Sequence, residues 1–157
     1  MWKISHFTRV LLVSLLSIGL GRTVNAEPST TLTVVVDGIK NQKGEVCMGV
    51  YSSSQGFPMS TNDVIKSACV QPTGSTLTHE FSGLQPGNYA VAIVDDQNGD
   101  RQLNKDFFGI PQEGFGISRN PTVSIATGTP SFYDASFILM PNQNTTMIIL
   151  MKYSLDS

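Results

Sequence analysis

The most informative part of the sequence for the fold is Phe81-Ser-Gly-Leu84-Gln-Pro86-Gly87-Asn-Tyr89-Ala-Val-Ala-Ile-Val94. Its second half, 88–94, is apolar at nearly every position, which is typical of a central strand buried on both faces. Pro86 and Gly87 predict the turn that leads into this strand. Tyr89 follows closely enough for its hydroxyl to bond upstream backbone, and Leu84 is expected to close one end of the core. These residues predict a stabilising corner with no catalytic content.

Short stretches on either side also have the composition of strands. Apolar and β-branched residues predict strands over 32–36, 46–50, 76–81, 123–125, 135–139 and 145–153, with 64–70 either a strand or a helical turn. Gly, Pro and Asn separate these stretches, and a helical period is not evident after residue 26. The pattern predicts an all-β fold: an immunoglobulin-like or transthyretin-like β-sandwich of about seven to eight antiparallel strands.

The stretch 96–121 interrupts this rhythm, because about 25 residues pass without strand periodicity. Loops longer than about 12–15 residues in a compact domain are mostly functional or disordered. The stretch is too rich in apolar residues to be disordered. We expect these residues to pack on the domain: Leu103, Phe107, Phe108, Ile110, Phe115 and Ile117. The sequence therefore predicts one long ordered loop that forms the interaction surface.

Oxygen-bearing residues alternate along the first part of this loop: Asp96, Asn98, Asp100, Gln102 (through its backbone carbonyl), Asn104 and Asp106. Such a curling loop suits Ca²⁺, which takes six to eight oxygen ligands at about 2.3–2.6 Å. The spacing resembles the first half of an EF-hand loop, but Arg101 stands at the usual glycine position and Phe107 at the usual terminal glutamate. A calcium site is one interpretation. The other is a polar turn whose Asp and Asn side chains bond local backbone amides.

The second part of the loop combines glycines with charged and aromatic residues. Glu113 and Arg119 either pair and hold the loop, or present polar groups to a ligand beside Phe115. The sequence Gly114-Phe-Gly116 lacks the further glycine and the strand–helix context of a phosphate-binding loop, so it does not indicate a nucleotide site. The residues expected to form the interaction surface are Phe107, Phe108, Glu113, Phe115 and Arg119.

Charge is distributed unevenly along the 157 residues. Three of the ten basic residues lie before position 23, whereas all twelve acidic residues lie from Glu27 onward. The positive start, the apolar run over 10–20 and the small residues Val24 and Ala26 predict a signal peptide over 1–26, with an uncleaved anchor as the alternative. The single domain 27–157 then carries 7 basic against 12 acidic residues, which argues against nucleic acid as a partner. We expect an exported, periplasmic or extracellular protein without a transmembrane anchor after cleavage.

Cys47 and Cys69 are the two cysteines of the chain. An even count in an exported domain predicts one disulfide, which would close a loop of about 22 residues and stabilise the fold by roughly 3 kcal/mol on chain-entropy grounds. Two buried free thiols are the alternative. A catalytic thiol is not indicated, because His79 is the only histidine after residue 26.

Common enzyme motifs such as G-x-S-x-G and H-E-x-x-H are missing from the sequence. Asp95, Asp106 and Glu113 could supply a carboxylate pair for hydrolysis, but a sandwich of this size offers little cleft. We therefore expect a binding or structural module that is not an enzyme and that needs no cofactor, or only the Ca²⁺ of the first interpretation. A small hydrolase or lyase, and a module that offers a strand edge to another chain, are the alternatives.

Four segments, taken in order, resemble a bacterial family of exported proteins called domain of unknown function 2141 (DUF2141): residues 44–57, 81–90, 95–118 and 130–153. The third is the most specific, with D-x-N-x-D followed by G-I-P-x-E-G-x-G. The chain departs from the family pattern at Asp100-Arg101, where a second glycine is usual. The resemblance implies an immunoglobulin-like or prealbumin-like sandwich in the cell envelope and supplies no reaction. We expect the partner to be an envelope protein or a glycan.

Overall fold

The computed structural model describes residues 30–40 and 42–156, so the predicted signal peptide over 1–26 lies outside the described residues. The elements in chain order are β1 (Thr30–Asp37), β2 (Glu45–Tyr51), β3 (Lys66–Val70), β4 (Thr76–Leu84), β5 (Gly87–Asp96), β6 (Gly114–Ile117), α1 (Phe132–Ala135), β7 (Phe137–Leu139) and β8 (Thr145–Leu150). Within these ranges the protein has no helix that is long and apolar enough to cross a membrane.

The strands form two sheets that pack as a sandwich. The smaller sheet has the order β4–β1–β8, and the larger has the order β3–β2–β5–β6, with β7 paired to the start of β5. The predicted all-β sandwich of seven to eight strands is therefore confirmed.

One pair of strands departs from the predicted antiparallel arrangement. β1 and β8 run parallel, from Leu32 opposite Thr145 to Asp37 opposite Leu150. A parallel pair needs a long crossover instead of a hairpin, and residues 38–144 provide that connection. The expectation that all strands are antiparallel is wrong for this pair.

The core lies between the sheets because each strand alternates its side chains between two faces. In β1 the alternation places Leu32, Val34 and Val36 in the core, where they are fully buried. Burial of each such side chain stabilises the fold by roughly 1.5–3 kcal/mol. The other buried members of this core are Ile39, Val46, Met48, Val50, Leu77, Phe81, Leu84, Tyr89, Val91, Ile93, Leu139, Ile149 and Met151.

The predicted corner before β5 is present. The Tyr89 hydroxyl donates a hydrogen bond of 2.8 Å to the Gln85 carbonyl, and burial raises the pKa of this tyrosine. Leu84 is buried at the adjoining end of the core. Gly87 lies beside the ring, since a Cβ there would be 3.6 Å from it. The hydrogen bond fixes the entry of the central strand.

The strand predicted over 123–125 is absent, because this segment is stabilised from elsewhere in the chain. The Val123 N–H donates a hydrogen bond of 2.7 Å to the Asp156 carboxylate, and the Asp156 N–H donates one of 2.7 Å to the Val123 carbonyl. The strand predicted over 135–139 begins later than expected, because Ser131 and Asp134 form a capping box that starts α1. β8 likewise ends at Leu150 instead of residue 153.

The predicted loop over 96–121 contains a strand, β6, that the sequence pattern missed. Gly114 and Gly116 lie on its inner face, where a Cβ would stand 2.5 Å from the Tyr153 ring and 2.9 Å from the Ile149 side chain, respectively. The outer face carries Phe115 and Ile117, which lie opposite Val94 and Ala92 of β5. Space inside the sandwich therefore admits only glycine at the two inner positions, and the irregular loop shortens to 97–113.

Cys47 and Cys69 form the predicted disulfide and lie directly opposite each other on β2 and β3. The alternative of two free thiols is thereby excluded. A single disulfide between neighbouring strands is what an oxidising compartment allows.

Candidate functional site

An apolar pocket of about 240 Å³ lies on the outer face of the larger sheet. Two facing pairs of residues form its floor: Ala92 with Ile117, and Val94 with Phe115. Because residues on one strand alternate between faces, these four side chains point away from the main core. They form an apolar surface that the other residues of 30–40 and 42–156 only partly cover.

Two irregular segments form the walls of the pocket. The 97–113 loop and the segment after β6 contribute Leu103, Phe108, Ile110, Val123 and Ile125. Polar groups are few and come from residues such as Lys105, Ser124 and Thr129. A mostly apolar lining with a small number of polar groups is characteristic of small-molecule sites.

Two buried carboxylates hold the 97–113 loop in place. Asp96 is 1% exposed, and its two oxygens each accept a 2.8 Å hydrogen bond, from the N–H groups of Gly99 and Arg101. The oxygens of Glu113 accept from Gln97 N–H at 3.0 Å and from Asn104 N–H at 3.1 Å. Both carboxylates therefore act as hydrogen-bond acceptors for backbone N–H groups of the loop.

A third carboxylate, Asp95, lies fully buried on the opposite face of β5. It accepts hydrogen bonds from the Tyr153 hydroxyl at 2.6 Å and from the Gln97 side chain at 2.9 Å. Burial, followed by this hydrogen bond to Asp95, raises the pKa of Tyr153 to about 12, against a lowering effect of the Lys40 backbone N–H. Asp95 thus ties the C-terminal segment to the end of β5.

Three of the six predicted calcium ligands lie together. The Asp100 carboxylate accepts from the side-chain amides of Asn104 at 2.8 Å and Asn98 at 3.1 Å. It also accepts from Gln102 N–H at 2.8 Å, and these hydrogen bonds, led by that of Asn104, lower the pKa of Asp100. The loop thus closes through the turn-type hydrogen bonds of the second interpretation.

Asp106 serves a separate turn, in which its carboxylate accepts 2.9 Å hydrogen bonds from Phe108 N–H and Ile110 N–H. Within residues 30–40 and 42–156, the acidic, histidine and cysteine side chains that cluster tightly enough to share an ion are Glu45, Cys47 and Cys69. Two of these offer no thiolate, because their sulfur atoms form the disulfide. Calcium binding by Asp96, Asn98, Asp100, Gln102, Asn104 and Asp106 stays a prediction.

The aromatic residues expected at the interaction surface divide into two kinds. Phe115 is buried in the pocket floor, as expected of a ring that packs on the domain. Phe107 and Phe108 are 98% and 83% exposed, so the expectation that they pack on the domain is wrong. The reason is the tight turn at Asp106, which leaves Phe107 in solvent and places Phe108 only at the rim of the pocket.

The charged residues expected beside Phe115 do not pair. Glu113 is buried and its oxygens are bonded to backbone, whereas the exposed Arg119 donates 3.3 Å to the Ser136 carbonyl. Sequence reasoning also missed Ala92 and Val94 as part of the site. The signal was available, since a strand that is apolar on both faces must be covered on its outer face as well.

These structural elements follow one another in the same order as the four sequence segments that resemble DUF2141. The family model described as "Uncharacterized protein conserved in bacteria (DUF2141)" matches residues 34–148, which include the second half of β1, all of β2 to β7 and most of β8. No curated protein and no solved structure matches the chain significantly. Because the family match covers well over half of its length, the chain belongs to the bacterial family DUF2141.

Proposed function

We propose that this protein is an exported, non-catalytic binding module of the bacterial cell envelope. Its pocket on the larger sheet would take a small apolar group of a ligand, with the 97–113 loop as one wall. The observation that carries the proposal is the pocket itself: an apolar floor on the outside of a sheet, left open by the segments that cover its surroundings. Export is supported by the signal-like sequence over 1–26 and by the disulfide.

The bonding of the carboxylates supports a binding role over catalysis. Asp95, Asp96 and Glu113 are buried, and each accepts hydrogen bonds that hold the fold, so their oxygens are engaged within the protein instead of facing the pocket. The buried Ser118 hydroxyl likewise donates 2.7 Å to the Ala135 carbonyl and accepts from Val91 N–H. His79 lies on β4 of the smaller sheet, away from the pocket lining.

The pocket lining also limits the ligand class. Aromatic and branched aliphatic side chains, including Phe115, Ile117 and Ile125, suit a single ring or a short branched chain. A cavity of about 150 Å³ is enough to bind benzene, so about 240 Å³ accommodates one ring with a substituent. Lys105 and Ser124 can bond a polar end group of such a ligand.

A neutral probe with one ring and a polar end group, 4-methylphenol, tests the pocket directly by isothermal titration calorimetry. We expect saturable binding to the wild-type protein and at least tenfold weaker binding to Ala92→Phe, whose added ring occupies the floor. Ile125→Asp changes a residue that is 84% exposed and lowers affinity without stressing the fold. Equal binding by wild type and both variants contradicts the proposal.

The matched control is Thr78→Phe, which adds the same ring at an exposed position of β4. Thr78 lies opposite Val35 in the smaller sheet, far from the pocket lining. We expect Thr78→Phe to bind the probe as tightly as the wild type. Increased binding to this variant would show that the probe reports surface apolarity in general, and a loss of binding would show that its site is not the pocket.

A further inference from the structure

The turn over residues 106–110 presents two phenylalanines in a fixed position. Asp106 N–H donates 2.9 Å to the Ile110 carbonyl, and Gly109 N–H donates 3.0 Å to the Asp106 carbonyl. The Asp106 carboxylate accepts two more hydrogen bonds, from Phe108 N–H and Ile110 N–H. Four hydrogen bonds therefore hold a five-residue turn, so little conformational entropy is lost when a partner binds it.

The exposure of this turn is unusual for a soluble domain. Phe107 and Phe108 are adjacent in sequence and are 98% and 83% exposed. Their rings contact each other edge to face, with 5.6 Å between the ring centroids. Burial of each ring against a partner would remove a large apolar area from water and so favour binding. Contiguous exposed apolar surface of this kind marks an interaction site.

The two phenylalanine rings differ in their position relative to the pocket of their own chain. Phe108 lines that pocket, together with Ile110 and Ile125, whereas Phe107 does not. Phe107 therefore leaves the pocket beside it open, although one ring of its size fits there. A protruding ring next to an open apolar pocket makes this surface complementary to itself.

We propose that a second copy of this chain docks here through a two-fold axis, with Phe107 of each copy seated in the pocket of the other. An interface of this symmetry uses the same patch on both molecules, so protrusion and cavity must lie side by side, as they do. The charges suit the same arrangement. Lys105 lines the pocket, so seating Phe107 of one copy there brings its exposed neighbour Asp106 near Lys105 of the other copy.

A second copy suits the charges better than a lipid surface. The exposed charges at the base of the turn, Lys105 and Asp106, cancel, and the chain after residue 26 carries 7 basic against 12 acidic residues. Anionic headgroups are attracted by clusters of basic residues, which this turn lacks. The turn presents apolar surface with one positive and one negative charge, and the same surface of a second copy is complementary to it.

The size of the contact sets its strength. A phenylalanine buries about 150–250 Å². Two rings from each copy therefore bury on the order of 600–1,000 Å², below the roughly 1,200 Å² of stable complexes. The dimer is weak and forms at high local concentration. It rests on the proposed pocket, because Phe107 of the partner copy and a small ligand then exclude each other.

Sedimentation velocity of the mature chain over a hundredfold range of concentration tests the dimer. We expect the wild type to shift from monomer towards dimer, and Phe107→Ser to need at least tenfold higher concentration for the same shift. Ala92→Phe, which fills the pocket, is expected to weaken association equally. The control is Ile148→Ser, an apolar residue 57% exposed on the smaller sheet, which should associate as the wild type does.

Probe binding separates this proposal from the proposed function. Phe107→Ser is expected to remain monomeric and still bind 4-methylphenol, while the probe dissociates the wild-type dimer. A wild type that binds the probe and stays monomeric throughout overturns the dimer alone. Association without probe binding overturns the proposed ligand pocket alone.

A photo-reactive benzoylphenylalanine at position 107 locates the contact. We expect cross-links between copies to peptides that contain Ala92 or Ile125. Cross-links to another face overturn the proposal. Co-sedimentation with phosphatidylcholine–phosphatidylglycerol vesicles, lost in Phe107→Ser while the protein stays monomeric, would instead assign the turn to a lipid surface and also overturn it.

Discussion

The Tyr153 hydroxyl donates a 2.6 Å hydrogen bond to the fully buried Asp95 carboxylate, and the same ring occupies the space that a side chain at Gly114 would need. The C-terminal segment thereby contacts the ends of β5 and β6, next to the start of the 97–113 loop. The loop that forms one wall of the pocket is thus held partly by residues beyond β8.

Tyr153→Phe is expected to lower the free energy of unfolding by about 1–3 kcal/mol, because one oxygen of a buried carboxylate loses its donor. Urea unfolding followed by circular dichroism measures the change. Tyr133→Phe is the matched control, since Tyr133 is 77% exposed and its loss of a hydroxyl should leave stability unchanged. Equal stability of Tyr153→Phe and the wild type would show that the hydrogen bond contributes nothing net.

The raised pKa of Tyr153 predicts a loss of stability in alkali. Its folded-state pKa is about 12, above the ordinary value of 10.0, so the fold favours the protonated phenol. The contribution is fully present below pH 10 and is lost as the pH rises from 10 towards 12. Burial raises the pKa of Tyr51 and Tyr89 as well, which adds to the loss in the same direction.

Melting temperatures measured between pH 8 and pH 11.5 test this dependence. The wild type is expected to lose stability steeply above pH 10, and Tyr153→Phe less steeply, because one of the three shifted tyrosines is gone. Parallel curves for the two proteins would contradict the assignment. Tyrosinate absorbance near 295 nm, recorded on the same samples, shows directly whether one fewer tyrosine titrates late.

Gly114→Ala is expected to destabilise the protein by about 1–3 kcal/mol, because its Cβ would lie 2.5 Å from the Tyr153 ring. The double variant Gly114→Ala/Tyr153→Ala should recover part of the loss from the glycine change. Gly74→Ala is the control, since a Cβ there meets no atom within 4 Å. If the two glycine variants unfold at the same urea concentration, the close approach does not limit residue size in β6.

Asp96→Ala is expected to cost about 1–3 kcal/mol of unfolding free energy, because the N–H groups of Gly99 and Arg101 lose their acceptor. Limited proteolysis should then cut first within 97–113. A cleavage pattern like that of the wild type would show that the carboxylate does not hold the loop.

The same variant tests the prediction of calcium binding. If the loop binds the ion, millimolar calcium raises the melting temperature of the wild type and leaves that of Asp96→Ala unchanged. Asp37→Ala, which changes a carboxylate of β1, controls for unspecific charge effects. An unchanged wild-type melting temperature would reject calcium binding.

The sequence predicted those parts of the fold that depend on neighbouring residues. The central strand and its tyrosine corner follow from residues 84–94 alone. β6 could not be found in this way, because its glycines are explained by Tyr153 and Ile149, which lie more than 30 positions later. The false strand at 123–125 has the same cause, since Asp156 provides the bonding partner of Val123.

The site was predicted only in outline. The sequence indicated 96–121 as the region of interest, but it could not show that Phe115 lies in a pocket floor while Phe107 stands in solvent. Both are phenylalanines among polar and glycine residues, and the difference arises from the hydrogen bonds of Asp106 and the pairing of β6 with β5. Contacts between residues that are distant in sequence cannot be predicted from local sequence patterns.

The parallel pairing of β1 with β8 also affects how the chain acquires its structure. β1 lies in the middle of the smaller sheet, yet one of its two neighbours is the last strand of the chain. Pairs so distant in sequence form slowly, because a long stretch of chain must be closed before they are gained. During synthesis, one side of β1 therefore stays unpaired until nearly the entire polypeptide has emerged, so the smaller sheet is completed only at the end of translation.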